Sequence, residues 1–405
     1  MIMRFKSKDI YTFFIFIAIL LLGIVSSEKY SLIFFVLITY FYVSTLVQSK
    51  SSVHMMFFLG YSSFIFLPAL LNWYYLDTKF DLYFITSFAS VFFLYATQNT
   101  LVKHFIDYGK QTRLIFIMFS IIAILLSLFE LSEIVQPLIA FIIFQMSISF
   151  RQSEIKNNVF YFTIFLFVYL AFAILAWDGF GRTVVVGWLL LAILQFCYSI
   201  NFKINKYIFG LIPGLASTLL SERNLLKLSF SGFEAALDDS AYQPYRLASS
   251  FIDQFNNNGF DISGFFDQIL FTFFIFVPRS IWPNKPNGFG FEYTVRNFDQ
   301  YLIDAGHSVA STLIADHIYF IGYLGILSSI TVLLIIAYVI RIFYRIEGLN
   351  GNAVVIFSAS MMVLVWGGMT SFSARVALPS IIFIILIALL KRFFTGQIRF
   401  RLRIR

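Results

Sequence analysis

Five cations stand beside turns, stiff segments or a long polar stretch. Arg182 closes Trp177-Asp178-Gly179-Phe180-Gly181-Arg182. Glycines there let backbone approach a ligand closely, although an arginine in this setting also reads as a snorkelling anchor at a lipid boundary. Arg279 and Lys285 lie in Val277-Pro278-Arg279-Ser280-Ile281-Trp282-Pro283-Asn284-Lys285-Pro286-Asn287-Gly288. The prolines fix φ and predict a stiff, non-helical hook, and Trp282 suits headgroup depth. Arg375 follows Ser371-Phe372-Ser373-Ala374 in a short turn between two apolar runs. Arg296 sits in a long polar segment and reads either as one of this set or as a solvated charge. Guanidinium forks match phosphate oxygens and stay charged at any biological pH. Each charge-assisted hydrogen bond contributes about 1.5–3 kcal/mol. A diphosphate carried on a lipid tail is the ligand class that such groups, gathered at one water–lipid boundary, would suit.

The second constellation is His307, Asp316, His317 and Tyr319. An acid at a membrane helix centre costs roughly 3 kcal/mol on insertion scales, so Asp316 reads as a general base or as a polar helix start. Asp316 and Tyr319 are three apart and share a helix face, and a neighbouring group could orient the base. Two histidines and one acid without further ligand spacing predict no metal site. His54 and His104 are expected at the cytoplasmic surface. Trp282, Phe289, Phe291 and Tyr293 could stack on sugar rings or simply pack. The single cysteine, Cys197, excludes an intramolecular disulfide. No Walker loop, HExxH pair or serine-hydrolase elbow occurs. Acids are nearly absent from the apolar centres, which argues against an ion-coupled transporter. No cofactor is expected.

The elements that must position these residues follow from composition. Of 405 residues, 60% are hydrophobic and only 12% charged, more apolar surface than one soluble core of this size hides. Apolar runs long enough for a ~30 Å hydrocarbon layer predict spans at 10–26, 30–47, 53–73, 82–97, 113–130, 135–150, 158–176, 183–200, 206–221, 312–340, 353–371 and 376–394. The basic start Arg4, Lys6 and Lys8 precedes a run with no small-residue cleavage site, so a retained first helix is expected. With alternating sides, most of the 29 Lys and Arg fall on the side of the N-terminus and most of the 21 acids on the other. The bias predicts both termini in the cytoplasm. The basic tail from Lys391 to Arg405 then faces anionic lipid heads, and nucleic acid is excluded as a partner. The chain divides into 1–220 (nine spans with short loops), 221–311 (one large outer loop) and 312–405 (three spans and the basic tail). Within the loop, Phe265–Val277 is apolar but too short to cross, so it predicts a helix lying on the membrane or dipping into it.

The hook Pro278-Arg279-Ser280-Ile281-Trp282-Pro283-Asn284-Lys285-Pro286 resembles the Pro-Arg-x-x-Trp-Pro-x-Lys-Pro stretch of Wzy-type polysaccharide repeat-unit polymerases, O-antigen polymerases among them. Thr312–Gly325 resembles their acid/aromatic segment ending in Gly-x-x-Gly, with Asp316-His317 where that family carries Glu. Gly181-Arg182 at the head of a span fits as well. The resemblance implies an all-α, GT-C-like polytopic membrane protein of about twelve spans with one large periplasmic loop, placed in the bacterial inner membrane. It implies a metal-independent glycosyltransferase joining repeat units carried on undecaprenyl diphosphate at the periplasmic face. Arg182, Arg279, Lys285, Arg375 and Arg296 would hold the diphosphate. Asp316, His317 or His307 would take the acceptor proton, and Trp282 and Tyr319 would contact sugar. Undecaprenyl-diphosphate-linked glycans and membrane lipids are the expected partners, and a chain-length regulator is compatible with the family. His317-Ile318-Tyr319 is also similar to the His-Asn-x-Tyr of O-antigen ligases. A ligase or a lipid-linked oligosaccharide flippase are therefore the rival readings.

Overall fold

The computed structural model describes residues 29–48, 51–70, 80–98, 111–152, 155–177, 182–211, 243–275, 277, 279–297, 309–345 and 350–373, and these are helical, with no strand among them. The predicted spans 10–26 and 376–394 lie outside them. The helices of the first half are α1 (Lys29–Leu46), α2 (Ser52–Tyr61), α3 (Phe80–Ala96), α4 (Gln111–Leu128), α5 (Ser132–Gln152), α6 (Ile155–Leu175) and α7 (Arg182–Ser199). The segment 221–311 contributes α8 (Gln243–Asn258), α9 (Ile262–Phe274) and α10 (Phe289–Asn297). The last part holds α11 (Ala315–Ile321), α12 (Leu324–Arg345) and α13 (Asn350–Phe372). Among the described residues, three helices, Ser52–Leu70, Ile155–Leu175 and Leu324–Ile342, are long and apolar enough to cross a membrane.

Those three differ in mean hydropathy, Ser52–Leu70 being the least apolar, and in placement. Ser52–Leu70 is 94% buried inside the protein, the other two only 33%. α13 lies against α2 and α7, so α2 is an internal rod while α6 and α12 are outer staves. Leu327, Ile335 and Ile342 on α12, and Val159, Phe167, Leu170 and Ile174 on α6, point outward, as lipid-facing residues would. Polar groups are turned inward instead. Thr39 donates to the Tyr83 hydroxyl at 2.8 Å, Tyr83 to the Val36 carbonyl at 2.8 Å, and Tyr61 lies 2.7 Å from Ser87, all buried. Hydroxyl bonds of this kind tie helices together where apolar burial cannot discriminate between lipid and protein.

His54 corrects a sequence expectation. It is fully buried, with a ring nitrogen 2.8 Å from Thr97 Oγ1 and Nδ1 accepting from the Gln48 amide at 3.2 Å. These partners make it an internal strut between α2 and the chain beyond α3. α2 also carries a π-helical turn, Ser62–Phe66, before resuming to Leu70. Ser63 in that turn donates to the Gly210 carbonyl at 3.2 Å.

The predicted span 312–340 is two helices. α11 ends at Gly322 (φ 57), and α12 starts at Leu324. A backbone with positive φ reverses the chain where a side chain would be strained. Gly325 then comes so near that a Cβ there would lie 2.5 Å from the His317 carbonyl carbon. Ser329 of α12 reaches back to the Ile314 carbonyl at 3.4 Å, so α11 folds along the first turns of α12. The Gly-x-x-Gly spacing is thus the turn of a tight helical hairpin, which holds Asp316 and His317 ahead of the crossing helix.

Candidate functional site

α9 is fixed at its start by one acid. Asp261 Oδ1 accepts the Gly264 amide at 2.8 Å, an N-cap bond. Its own amide donates to the Phe320 carbonyl at 2.9 Å, pinning α9 to the end of α11. Asp261 Oδ2 also accepts Arg296 Nη1 at 3.0 Å, while Arg296 Nε donates to Glu292 Oε1, one turn earlier on α10, at 3.0 Å. The Arg296 charge is therefore matched twice. Burial alone would raise the Asp261 carboxyl, but the Gly264 amide and Arg296 outweigh it and hold it below the usual carboxylate range.

The hook after α9 closes on itself. Arg279 donates from Nη1 to the Lys285 carbonyl at 2.8 Å and from Nη2 to Asn287 Oδ1 at 2.6 Å. Lys285 Nζ donates to the carbonyls of Ile275 at 2.5 Å and Val277 at 2.9 Å, just past the C-terminal end of α9. Cations suit such carbonyl-rich helix ends. All four acceptors are neutral, so neither charge is cancelled by a carboxylate among the described residues. Burial and then the neighbouring Arg279 push the Lys285 ammonium down from its ordinary value. Trp282 is half-buried beside the exposed Ile281. Ile262, Phe266, Leu270, Phe273 and Phe274 are exposed along α9, an apolar stripe leading to the two cations.

Asp316 is 1% exposed and bridges two chain breaks. Its Oδ1 accepts the His317 amide at 3.0 Å, and its Oδ2 accepts the Met369 amide at 3.2 Å. Met369 follows Gly368, whose φ of 71° interrupts α13. A Cβ on Gly368 would meet Asp316 Oδ2 at 2.8 Å and Ser311 Oγ at 2.5 Å. Asp316 thus caps the resumed end of α13. It stands ahead of the crossing stretch Leu324–Ile342. Burial raises its carboxyl, with the His317 ring and the Met369 and His317 amides pulling the other way. His317, 2% exposed, lies edge-on to Phe265 at 5.4 Å, and its Nδ1 has no partner. Burial lowers its ring, with Asp316 raising it in part.

Tyr319 turns away from Asp316 into an aromatic layer, with ring centroids 5.5 Å from Phe251, 5.6 Å from Phe289 and 5.4 Å from Tyr293. The structure therefore gathers Arg279, Lys285 and Trp282 in one hook, holds Arg296 on the other side of Asn287, and sets Asp316 with His317 behind α9. Arg182 is the first residue of α7, its side chain outside what the structure describes. His307 and Arg375 lie outside the described residues.

Sequence reasoning missed Asp261, Gln268, Asn287 and Glu292. Asp261 immediately before an apolar run carries the usual N-cap signal. The others carry none, because their role depends on α9, α10 and the hook meeting. Among the described residues, no group of three or more His, Cys, Asp or Glu side chains could hold a metal. No protein-family model, curated protein or solved structure matches the chain, so its chemistry is argued from these residues and their geometry.

Proposed function

We propose that this chain is a polysaccharide repeat-unit polymerase of the bacterial inner membrane. It would have about twelve crossings, cytoplasmic termini and a GT-C-like arrangement, working at the periplasmic face. The observation that carries the reading is the Arg279–Lys285 pair: two cations that, among the described residues, are hydrogen-bonded only to neutral acceptors, at the end of a helix with an exposed apolar stripe. A lipid-borne diphosphate supplies the missing negative charge, and its tail matches the stripe.

In the reaction, an acceptor hydroxyl oxygen bonds to the anomeric carbon of the growing chain. The bond from that carbon to the diphosphate oxygen breaks, and the diphosphate leaves with the electron pair. Arg279 and Lys285, with Arg182 and Arg375, stabilise that charge. Asp316 or His317 takes the hydroxyl proton. No metal is required for this charge balance.

The test is Arg279→Gln combined with Lys285→Met, introduced into a strain lacking the native copy. Inserted protein with lipopolysaccharide capped by single units instead of a ladder supports the polymerase. Full ladders overturn it. Loss of all capping, single units included, points to the ligase.

A further inference from the structure

On the face of α9 opposite the apolar stripe is a cleft of ≈ 120 Å³, bounded by Gly264, Asp267 and Gln268 of α9, Asn287 of the hook and Glu292 and Arg296 of α10. Its chemistry differs from that of the hook. Two carboxylates face one guanidinium, and that guanidinium is already bonded to Glu292 and to Asp261. An anion would find net repulsion there. Gln268 is 3% exposed, and its Nε2 donates to the Asn287 carbonyl at 3.0 Å. That bond fixes the amide orientation, leaving Oε1 as a buried acceptor without a donor. A buried acceptor left open is costly, and a ligand hydroxyl or amine would satisfy it. Asp267 and Glu292 accept from the same groups.

Asn287 belongs to both sites. Its side-chain oxygen receives Arg279, and its carbonyl receives Gln268. The cleft and the cation pair are therefore separated by one residue.

We infer that this cleft binds a neutral or amino sugar, and that with the hook it forms a two-part site for a sugar whose anomeric oxygen carries phosphate. The inference rests on the proposed reading of the hook for the phosphate half only. The phosphate sits on Arg279 and Lys285, and the sugar hydroxyls or amine meet Gln268, Asp267 and Glu292.

The test uses the full chain in lipid nanodiscs and ligand-observed NMR titrations with four probes, glucosamine and galacturonate followed by their ring protons, and inorganic phosphate and glucosamine 1-phosphate by their phosphorus resonance. The expected order places glucosamine about tenfold tighter than galacturonate, because the amine forms a charge-assisted hydrogen bond where the uronate carboxylate meets repulsion. Glucosamine 1-phosphate binds tighter than either half. Asp267→Asn and Gln268→Leu each weaken glucosamine by about fivefold or more and leave phosphate unchanged. Arg279→Gln does the reverse. If the cleft variants bind glucosamine as the wild type does, or galacturonate binds best, the cleft assignment is overturned while the hook assignment stands. If Arg279→Gln leaves phosphate binding intact while the cleft variants lose glucosamine, the hook reading fails, and the sugar cleft is upheld without its phosphate half.

Discussion

At the scale of single residues, Asp316 has two duties that substitution can separate. Asn at this position keeps one oxygen, enough for the Met369 or the His317 amide but not both, whereas Ala leaves both buried N–H groups open, each a loss of about 1–3 kcal/mol. Asp316→Asn should therefore melt between the wild type and Asp316→Ala in detergent yet make no ladder. A fully active Asn variant removes Asp316 from the chemistry and leaves it as a cap. Gly368→Ala forces a Cβ into a positive-φ site against Ser311 and Asp316 and should destabilise by about 1–3 kcal/mol. The Asp261 carboxyl has its folded value lowered. Its ion pair with Arg296 thus contributes stability above the unfolded carboxylate value, and the contribution disappears as pH falls through the folded one. Melting temperatures followed downward from pH 6 should drop more steeply for the wild type than for Asp261→Asn; parallel curves would dismiss the pair as a source of stability. The sequence made Arg279, Lys285 and Asp316 visible because a charge near apolar runs is conspicuous. It could not show that the two hook cations bond neutral carbonyls, nor that Asp316 supports a helix far along the chain.

At the scale of elements, helix positions were legible and helix surroundings were not. Apolar runs bounded by charge or turn residues located α1 to α7 to within a few residues, because hydrocarbon thickness sets their length. Hydropathy separates the three crossing-length helices only weakly: α2, enclosed on all sides, is the least apolar of the three, while α6 and α12 face outward. In a membrane both environments are apolar. For the same reason His54 was assigned to a surface. The break at Gly322 was hidden inside one continuous apolar run. α9 leads to a direct measurement. A nitroxide attached at Phe266→Cys or Leu270→Cys in liposomes should relax faster with oxygen than with a water-soluble nickel chelate, whereas one at Asp267→Cys should show less of this preference. Nickel-dominated relaxation at all three would place α9 in water and remove the lipid from the proposed site.

At the scale of the whole molecule, the proposed topology sets what each segment can meet. Alkaline phosphatase fused after Asn258 should be active, and green fluorescent protein fused after Arg405 should fluoresce. Fluorescence lost at the C-terminus with phosphatase activity there would mean an odd number of crossings, and would put the basic tail on the same side as the hook. The proposed orientation rests on the charge count, because positive residues bias the cytoplasmic side independently of any fold.

The π turn at Ser62–Phe66 has one more effect. Each additional residue advances an α-helix by about 100°, so the enlarged turn offsets the phase of the rod between its two ends. The segment before it meets α13 and α7, while the turn itself keeps α13 and adds α1, α3 and α8. One continuous helix can then serve two sets of neighbours whose directions a regular spiral would not reconcile. Removing one residue, Ser63 for instance, would bring both ends back into a common phase and rotate Phe64 to Leu67 out of their places, scrambling the centre of the bundle without altering a single apolar side chain there.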